Sequence, residues 1–285
     1  MFSDIIEDMS HKIAVITVVY QNYDVLKDLF NSLEKQTNKN FHIFISDLSD
    51  KKKQITTAIL HLTVINGKNL GYSHGINLGI KEAIKAGYTH FIVINSDTYV
   101  QENFIKLTLQ SLIRHPGSII GGKIYYAPGF EYHKTRYKAT DLGKVIWYSG
   151  GSIDWKNVYI LHHGVDQIDH QQYDKLTKTD FITGCLVSFD KNIVDKVGYW
   201  DEKYFLYFED ADFCERAKKK GIKLYYDPSI IIWHKNAQST DGSGSALHQK
   251  YQEKNRLRFA LKYAPIKTKL FVLKNYIFNP LFNKL

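Results

Sequence analysis

The segment Phe91–Thr98, FIVINSDT, joins an apolar run to a polar end. Phe91-Ile92-Val93-Ile94 has no polar interruption, a pattern typical of a central strand buried on both faces. The run ends in Asn95-Ser96-Asp97, and in an open α/β sheet ligands bind beyond the carboxyl ends of the strands. A carboxylate at that point can hold a divalent cation against a ligand phosphate. It can equally form a turn or a helix cap, so this segment alone leaves both interpretations open.

Strands and helices alternate around this segment from residue 12 to residue 125. Lys12–Tyr20 and Phe41–Ser46 are predicted as strands, and between them apolar residues fall at helical spacing, namely Leu26, Leu29, Phe30 and Leu33. The other elements expected here are helices over Lys51–His61, Ile76–Ala86 and Glu102–His115 and strands over Thr63–Ile65 and Ser118–Tyr125. Such alternation is the pattern of a parallel, doubly wound sheet.

Polar residues follow three of these strands at the point where each strand ends. They are Gln21-Asn22, the stretch from Asp47 to Asp50, and the stretch from Asn95 to Asp97. Parallel strands end at the same edge of a sheet, so we expect the three groups to lie together. Their shared position favours a ligand site over three unrelated caps.

The second half of the chain is less regular. Tyr126–Thr179 contains a glycine-rich, strand-like piece at Trp147–Trp155, and long irregular insertions in compact domains are usually functional or mobile. Beyond it we expect a strand over Phe181–Phe189, a short helix to Gly198, a helix over Glu209–Lys220, short strands over Ile222–Tyr226 and Ile230–Trp233, and a basic helical tail.

Composition limits the class of protein. A chain of 285 residues with 44% hydrophobic residues can bury the core of one large α/β domain. Cys185 and Cys214 give neither a disulfide framework nor a metal-site spacing, which suits core residues in a reducing cytoplasm. The first ten residues lack the apolar stretch of a signal peptide, and no apolar run is long enough to predict a membrane span.

The net charge of +9 is concentrated at the carboxyl end. Residues 250–285 hold nine Lys or Arg and one acid, a balance of +8, whereas the first 249 residues hold 29 basic and 28 acidic residues, a balance of +1. This asymmetry predicts an anionic partner for the tail, either a membrane surface or nucleic acid, with a solvated basic helix as the simpler alternative.

A second acidic group, Glu209-Asp210-Ala211-Asp212, opens a predicted helix. Mutual repulsion tends to raise the pKa of at least one of these carboxylates, and the helix dipole relieves part of the cost. A carboxylate in that state can accept a proton from a hydroxyl nucleophile. We favour this function for Asp210, whereas Asp212 is more simply explained as the i+4 partner of Arg216.

His234 follows the apolar segment Ile230–Trp233. A lone histidine is usually a structural residue. Together with Asp97 it could complete an oxygen and nitrogen metal site, provided that the two side chains meet in space. The dinucleotide fingerprint GxGxxG and the P-loop are absent, so a bound phosphate would depend on metal and basic side chains.

Seven segments, taken in order, resemble the family 2 glycosyltransferases. They are VVYQN, SDLSD, NLGYSHGINLGI, INSDT, TGCLVSF, VGYWDEKYFLYFEDADFCERAKKKG and IIWHK, and the later KNRLRFALKY is similar as well. The likeness is strongest to the rhamnosyltransferase-like bacterial branch that builds capsule, O-antigen and other surface glycans, and it covers residues 12–235. Each segment alone is weak evidence, but seven in one order are specific.

The resemblance implies an α/β fold of the GT-A type, with one nucleotide-binding domain, a mostly parallel central sheet, helices on both faces and a C-terminal helical tail. Residues 1–235 would form the glycosyltransferase domain, with a nucleotide half at about 12–125 and an acceptor half at about 126–235. Residues 236–285 would form a basic helical extension.

The same resemblance implies roles for individual positions. Contacts with the nucleotide-sugar are expected from Thr17, Tyr20, Asn22, Asp47, Ser49, Asn69, Gly71, Asn77, Asn95 and Ser96. Asp97 and His234 match metal-binding positions, so Mn²⁺ or Mg²⁺ is the expected cofactor. Asp210 matches the general base, with Glu209 as its neighbour. Contacts with the acceptor are expected from Trp200, Asp201 and Tyr207.

The implied activity is inverting transfer of a sugar from dTDP-rhamnose or a UDP-hexose to a hydroxyl of a growing surface polysaccharide or lipid-linked glycan. Two departures from the family pattern bear on this activity. Asn95 replaces the first acid of the DxD motif, and Leu48 replaces a small polar residue often found near the nucleotide base. The alternative is a non-catalytic nucleotide-sugar or glycan-binding module of the same fold. A nucleotidyltransferase usually needs a glycine-rich, basic loop after the first strand, and VVYQNYD is neither glycine-rich nor basic. No motif supports nucleic-acid binding by the tail.

The tail has one apolar helical face, formed by Ile266, Leu270, Leu273 and Ile277, with Lys267 and Lys274 to one side. Basic amphipathic helices bind anionic leaflets, which predicts a cytoplasmic protein held at the inner face of the plasma membrane. Packing of the face on the main domain, or on a second subunit in a homodimer, is the alternative.

Overall fold

The computed structural model describes residues 12–236 and 246–278. The first ten residues, for which no signal peptide is expected, lie outside this part. The elements, in chain order, are β1 (Ile13–Val19), α1 (Leu26–Glu34), β2 (Phe41–Asp47), β3 (Leu62–Asn66), α2 (Tyr72–Lys85), β4 (His90–Ile94), β5 (Thr98–Val100), α3 (Phe104–Arg114), β6 (Ile119–Tyr126), β7 (Ile146–Tyr148), β8 (Gly151–Asp154), β9 (Tyr159–His162), β10 (Thr177–Lys178), β11 (Leu186–Asp190), α4 (Lys191–Val197), α5 (Glu209–Lys219), β12 (Leu224–His234), α6 (Ala246–Tyr263) and α7 (Ile266–Phe278).

One large sheet organises the described residues, with strands in the order β10-β12-β6-β11-β4-β1-β2-β3. The four strands β4, β1, β2 and β3 run parallel, and β12 runs parallel to β6. β11 lies antiparallel between β4 and β6 and joins the two parallel groups. The short strands β5 and β7 pair at the side, and β8 and β9 form a separate hairpin.

Buried apolar residues explain the centre of this sheet. Phe91–Ile94 is fully buried in β4, and the four apolar positions predicted for α1 are all buried. α2 lies very close to β1 because it carries glycine at the contact: a Cβ on Gly79 would lie 2.4 Å from Ile16 Cγ2. The predicted alternation of strand and helix is therefore confirmed in the first half of the chain, except between β2 and β3.

The register confirms that the polar strand ends share one edge. In the parallel β1–β2 pair Val19 lies opposite Asp47, and β4 runs in the same direction on the other side of β1. The segments that follow the three strands therefore leave the sheet on the same side.

Several element predictions are wrong. Lys51–His61 forms no helix; most of its side chains are exposed, including Leu60 at 92%, so no buried face supports a helix. Of Phe181–Phe189 only the part from Leu186 onward is strand. The two short strands expected around Asp227 are one strand, β12, with a register shift between Asp227 and Ile231.

The predicted tail contains two helices with different environments. α6 packs against Trp155 and Phe208 and buries Phe259 and Ala260 completely. α7 leaves three of its four predicted apolar positions exposed, Ile266 at 75%, Leu270 at 64% and Ile277 at 55%, while Leu273 is half-buried. Packing of that face on the main domain is therefore not observed in the described residues, within which no helix is long and apolar enough to cross a membrane.

Candidate active site

A cavity of about 950 Å³ lies beyond the carboxyl ends of β1 and β4. Ten of the residues singled out in the sequence line it, namely Tyr20, Asn69, Gly71, Asn95, Ser96, Asp97, Tyr207, Glu209, Asp210 and His234. The folded chain thus brings residues from distant segments around one space large enough for a small-molecule ligand.

Strand pairing places Asp97 beside His234. Thr98 begins β5 directly after Asp97, and it lies opposite His234 at the end of β12. His234 Nε2 is 3.2 Å from Asp97 Oδ1, and both side chains are buried. The Lys235 backbone N–H donates to the Asp97 carbonyl at 2.9 Å. The two side chains therefore meet, as a shared metal site requires.

The charge on this pair depends on its surroundings. Burial by itself would lower the pKa of His234, but the neighbouring Cys185 and Asp97 side chains raise that pKa well above its usual value. The imidazole therefore holds a proton next to the Asp97 carboxylate. A cation bound between these two side chains would displace that proton, so cation binding would weaken as the pH falls.

The Asp97–His234 pair can supply part of the coordination of a divalent cation. No cluster of three or more His, Cys, Asp or Glu side chains able to hold a metal occurs in residues 12–236 and 246–278. Asp97 and His234 offer one oxygen and one nitrogen, and Mg²⁺ commonly takes only one or two protein ligands and completes its shell with phosphate oxygens and water. These residues fit a metal held jointly by the protein and a diphosphate.

Asn95 is fixed by a residue that the sequence reasoning missed. The Tyr72 hydroxyl donates to Asn95 Oδ1 at 2.8 Å and also lies 3.0 Å from the Gly184 carbonyl oxygen. Tyr72 thereby links the end of β4 to the loop before β11. Its only sequence signal is its place within the glycine-rich segment NLGYSHGINLGI, where α2 begins.

Glu209 and Asp210 line the cavity from the start of α5. Asp210 Oδ2 accepts a hydrogen bond from the Gly184 N–H at 2.8 Å, and Oδ1 accepts one from Ala211 N–H at 2.8 Å. Burial raises the pKa of Asp210 despite these two donors, which favour the charged form. The pKa of Glu209 lies well above its usual value because of burial and the adjacent Asp210 charge. Asp210 thus has the environment of a proton acceptor.

Asp47 lies near the cavity but outside its wall. Its carboxylate accepts hydrogen bonds from the Tyr23 hydroxyl at 2.6 Å and the Ser49 N–H at 2.9 Å, with Lys52 Nζ at 3.6 Å. Burial tends to raise the pKa of Asp47, but these hydrogen bonds and Lys52 outweigh it and lower the pKa. The carboxylate is therefore ionised and held at the end of β2.

Four other residues expected to contact the nucleotide lie outside the cavity wall. Thr17 is buried in β1, Ser49 Oγ accepts the Gln21 N–H at 2.7 Å, and Asn22 lies in the loop after β1. Asn77 is also buried. Its amide exchanges hydrogen bonds with the Trp200 backbone at 2.9 and 3.0 Å. This geometry gives Asn77 a structural contact, and its proposed contact with nucleotide stays a prediction.

Two of the three expected acceptor residues are also away from the cavity. Trp200 is buried and stacks on Phe213, with ring centroids 5.3 Å apart. Asp201 pairs with Lys262 of α6 at 3.3 Å. Only Tyr207 lines the cavity, and a role for any of the three in acceptor binding stays a prediction.

The insertion between β6 and β11 supplies wall residues that no motif indicated. Trp147 lies edge-on between two histidines, with ring centroids 4.8 Å from His234 and 4.6 Å from His162. Burial lowers the pKa of His162 to about 4, so its ring is neutral near pH 7. Tyr251 and Gln252 of α6 complete the wall from the far end of the chain.

Residues 11–258 match the family model described as Glycosyltransferase like family 2. The match covers most of the chain, so the protein belongs to this family and is a glycosyltransferase. The family predicted from the ordered segments is confirmed.

Two curated relatives illustrate the likeness. The chain is 21% identical over 227 residues to the low-salt glycan biosynthesis hexosyltransferase Agl10 of Haloferax volcanii, with 76% of this chain and 65% of the relative covered. It is 23% identical over 253 residues to the N-acetylglucosaminyl-diphospho-decaprenol L-rhamnosyltransferase of Mycobacterium tuberculosis, with 84% and 81% covered. The expected likeness to rhamnosyltransferases is thereby confirmed.

A solved structure shows the same architecture. The crystal structure of GalNAc-T7 with UDP, GalNAc and Mn²⁺ matches with a TM-score of 0.60 at 15% identity, covering 78% of this chain and 43% of that chain. At this identity the match shows the fold alone, and it confirms the predicted GT-A architecture.

Proposed function

We propose that the protein transfers a sugar from a nucleotide-sugar to a hydroxyl group with inversion at the anomeric carbon. One observation carries this proposal: the Asp97–His234 pair and Asp210 line the same cavity from different elements of the fold. A metal-binding pair and a proton acceptor around one space are the two groups that such a transfer needs.

The donor belongs on the Asp97 side. Asp97 and His234 would hold Mn²⁺ or Mg²⁺ against the donor diphosphate, and the bound metal would neutralise charge on the departing phosphate oxygen. Asn95 stands at the first position of the motif and adds no charge, so the diphosphate itself must complete the metal site. The Mn²⁺ in the GalNAc-T7 structure supports use of a divalent cation.

The acceptor belongs on the Asp210 side. The acceptor hydroxyl would give its proton to Asp210 as its oxygen attacks the anomeric carbon, while the bond to the nucleoside diphosphate breaks. A single displacement from the side opposite the leaving group inverts the anomeric carbon. The raised pKa of Asp210 makes its carboxylate a stronger base than an ordinary aspartate.

The names of the relatives support a substrate class. We favour dTDP-rhamnose as donor, with UDP-hexoses next, because one relative is named an L-rhamnosyltransferase and the other a hexosyltransferase. The rhamnosyltransferase is named for a decaprenol-linked acceptor, which supports a lipid-linked glycan or growing surface polysaccharide here.

The test is a screen of nucleotide-sugars with Mn²⁺, read first by thermal shift and then by release of nucleoside diphosphate. We expect one donor to raise the Tm and to be turned over in a metal-dependent manner. Asp97→Asn should remove the metal dependence, whereas Asp195→Asn, an exposed acid of α4, should not. Binding without hydrolysis or transfer for every donor and acceptor would instead support a non-catalytic binding module.

We also propose that α7 holds the enzyme on the anionic inner face of the plasma membrane. Its exposed apolar positions Ile266, Leu270 and Ile277 are accompanied by lysines and by no acid within the helix. Interfacial helices bind through this combination of apolar area and positive charge. A lipid-linked acceptor would then lie within reach of the site.

Vesicle sedimentation tests this second proposal. We expect binding to vesicles that contain anionic lipid and little binding to neutral ones. Leu270→Glu with Phe271→Glu should abolish binding. The control Lys254→Glu changes the net charge by the same amount as the two substitutions together, on an exposed position of α6. A concentration-dependent dimer lost in the same double variant would show instead that the face binds a second copy.

A further inference from the structure

Helix α6 is built into the acceptor half rather than appended to it. Trp155 stacks on Phe259 at 5.7 Å, and Phe208 lies 5.4 Å from the same ring. Asn255, a polar residue of this helix, is only 1% exposed. A buried amide must be hydrogen bonded to be tolerated, so its partners indicate what the helix holds in place.

The Asn255 side chain holds the turn that leads into α5. Its amide nitrogen Nδ2 donates to the carbonyl oxygens of Leu206 at 2.8 Å and Tyr207 at 3.1 Å. The amide therefore uses both of its hydrogens on consecutive peptide groups. Among uncharged side chains, only asparagine and the longer glutamine carry two such donors on one atom.

That turn has an unfavourable backbone. Tyr207 and Phe208 have φ values of 68° and 69°, and such left-handed conformations are uncommon for bulky side chains. Two in succession persist only where the surrounding contacts hold them. Phe208 directly precedes the Glu209–Asp210 pair, so a change in the turn would move the start of α5.

The same helix also holds α5 just beyond the pair. Asp212 is fully buried, and it accepts hydrogen bonds from Lys262 Nζ at 2.6 Å and from the Tyr263 hydroxyl at 2.8 Å. Residues of α6 thus form hydrogen bonds with the chain on both sides of Asp210. The Asp210 carboxylate in turn meets the Gly184 N–H at 2.8 Å, which marks its place in the cavity.

We propose that Asn255 is a positioning residue for the transfer reaction: by fixing the Leu206–Phe208 turn, it holds the Asp210 carboxylate where the acceptor hydroxyl must lie. This assignment rests on the proposed role of Asp210 as the base. The assignment gives α6 a function in the reaction as well as in stability. A displacement of Asp210 can be measured at the Gly184 N–H, which donates to the Asp210 carboxylate.

The experiment compares Asn255→Leu, which keeps similar volume but has no donor, with Arg256→Gln as the control. Arg256 is a buried neighbour on α6, but its guanidinium bonds to the Asn157 carbonyl oxygen at 2.9 Å rather than to the turn. Asn255→Ala serves if the leucine variant folds poorly. Three quantities are measured in the full chain: Tm, the separate values of kcat and donor KM, and amide hydrogen exchange at Gly184 by NMR.

For Asn255→Leu we expect kcat to fall by about 100-fold, the cost typical of a misplacement near 1 Å. Donor KM should stay within about twofold, because the donor lies on the Asp97 side, and exchange at Gly184 should become at least about tenfold faster. Arg256→Gln should lower the Tm while leaving kcat and Gly184 exchange within about twofold of the parent.

A lower Tm for Asn255→Leu with unchanged kcat and unchanged Gly184 exchange would overturn the proposal, as would equal effects of Arg256→Gln on both. If the parent protein turns over no donor, Gly184 exchange decides alone. Faster exchange then supports the contact with Asp210 while the proposed function fails, and unchanged exchange overturns the positioning role.

Discussion

The two walls of the cavity are built by different means. On the wall that we propose for the donor, here called the donor wall, Asn95 and Asp97 follow β4 directly, and the β5–β12 register sets His234 beside them. On the wall that we propose for the acceptor, the acceptor wall, Glu209 and Asp210 follow a left-handed turn that is held by side chains from α6. A backbone ladder sets Asp97 beside His234 on the first wall, with a single side-chain contact from Tyr72 to Asn95, whereas several side-chain contacts fix the second.

This difference has a physical consequence. Ladder hydrogen bonds repeat along strands and do not depend on any one side chain, so the donor wall should tolerate single substitutions around it. The acceptor wall depends on individual polar groups in a buried setting, where losing one partner leaves another unsatisfied. We therefore expect substitutions on the acceptor wall to change the geometry of the site more.

The largest effect should come from Asp210→Asn. Asparagine keeps an oxygen for the Gly184 N–H but cannot accept the acceptor proton, so kcat should fall by about 10²–10⁴-fold. Donor affinity, measured by calorimetry, should change little because we propose that the donor binds on the other wall. Asp195→Asn, an exposed acid of α4, is the control. Full activity in Asp210→Asn would rule out the base assignment.

The stability of the protein should be sensitive to substitution of Gly71, which lines the cavity. Its φ is +105°, and a Cβ there would lie 2.4 Å from the Phe205 carbonyl oxygen, which accepts the Tyr72 N–H at 2.8 Å. Gly71→Ala should lower the free energy of unfolding by about 2–4 kcal/mol. Gly87→Ala shares the positive φ, +84°, but has open space, so it should cost only about 1 kcal/mol. Equal losses in denaturant melts would contradict the steric account.

Ionisation of the buried Glu209 side chain should lower the free energy of unfolding at higher pH. Its pKa is raised in the folded protein, so the folded state binds this proton more tightly than the unfolded state does. Stability from this group is complete below the ordinary glutamate pKa and is lost as the pH rises toward the folded pKa. Glu209→Gln should raise the free energy of unfolding at pH 8 by about 1–3 kcal/mol, with the gain vanishing near pH 4. If the free energy of unfolding of the parent and of Glu209→Gln varied identically with pH in chemical denaturation, ionisation of Glu209 would carry no loss of stability.

The smallest effects should come from one matched substitution on each wall. Tyr263→Phe removes a hydrogen bond to buried Asp212, and Tyr23→Phe removes one to buried Asp47. We expect each substitution to cost about 1 kcal/mol, because Asp212 keeps Lys262 and Arg216 as partners and Asp47 keeps a backbone donor from Ser49. Tyr23→Phe should also weaken nucleotide binding a few-fold. A loss of more than about 3 kcal/mol for either variant in denaturant melts, or unchanged nucleotide binding by Tyr23→Phe in calorimetry, would contradict this expectation.

Sequence reasoning succeeded where local pattern and function coincide. The apolar run before Asn95 predicted a central strand, and the polar residues after β1, β2 and β4 predicted a common edge. It failed at Lys51–His61, where a helix needs a buried face that the fold does not offer. It also could not separate Asn77, which lies against the Trp200 backbone, from residues that line the cavity.

The sequence by itself determined the family, the strand that leads to Asp97 and the acidic start of α5, because each depends on residues that are neighbours in the chain. The tertiary structure alone decided that His234 lies 3.2 Å from Asp97, that Tyr72 holds Asn95, and that Asn255 supports the turn before Asp210. These contacts join residues far apart in the chain, and they form only when strand register and helix packing fix their separation. Periodicity records which face of an element is buried, but not which side chain it meets there.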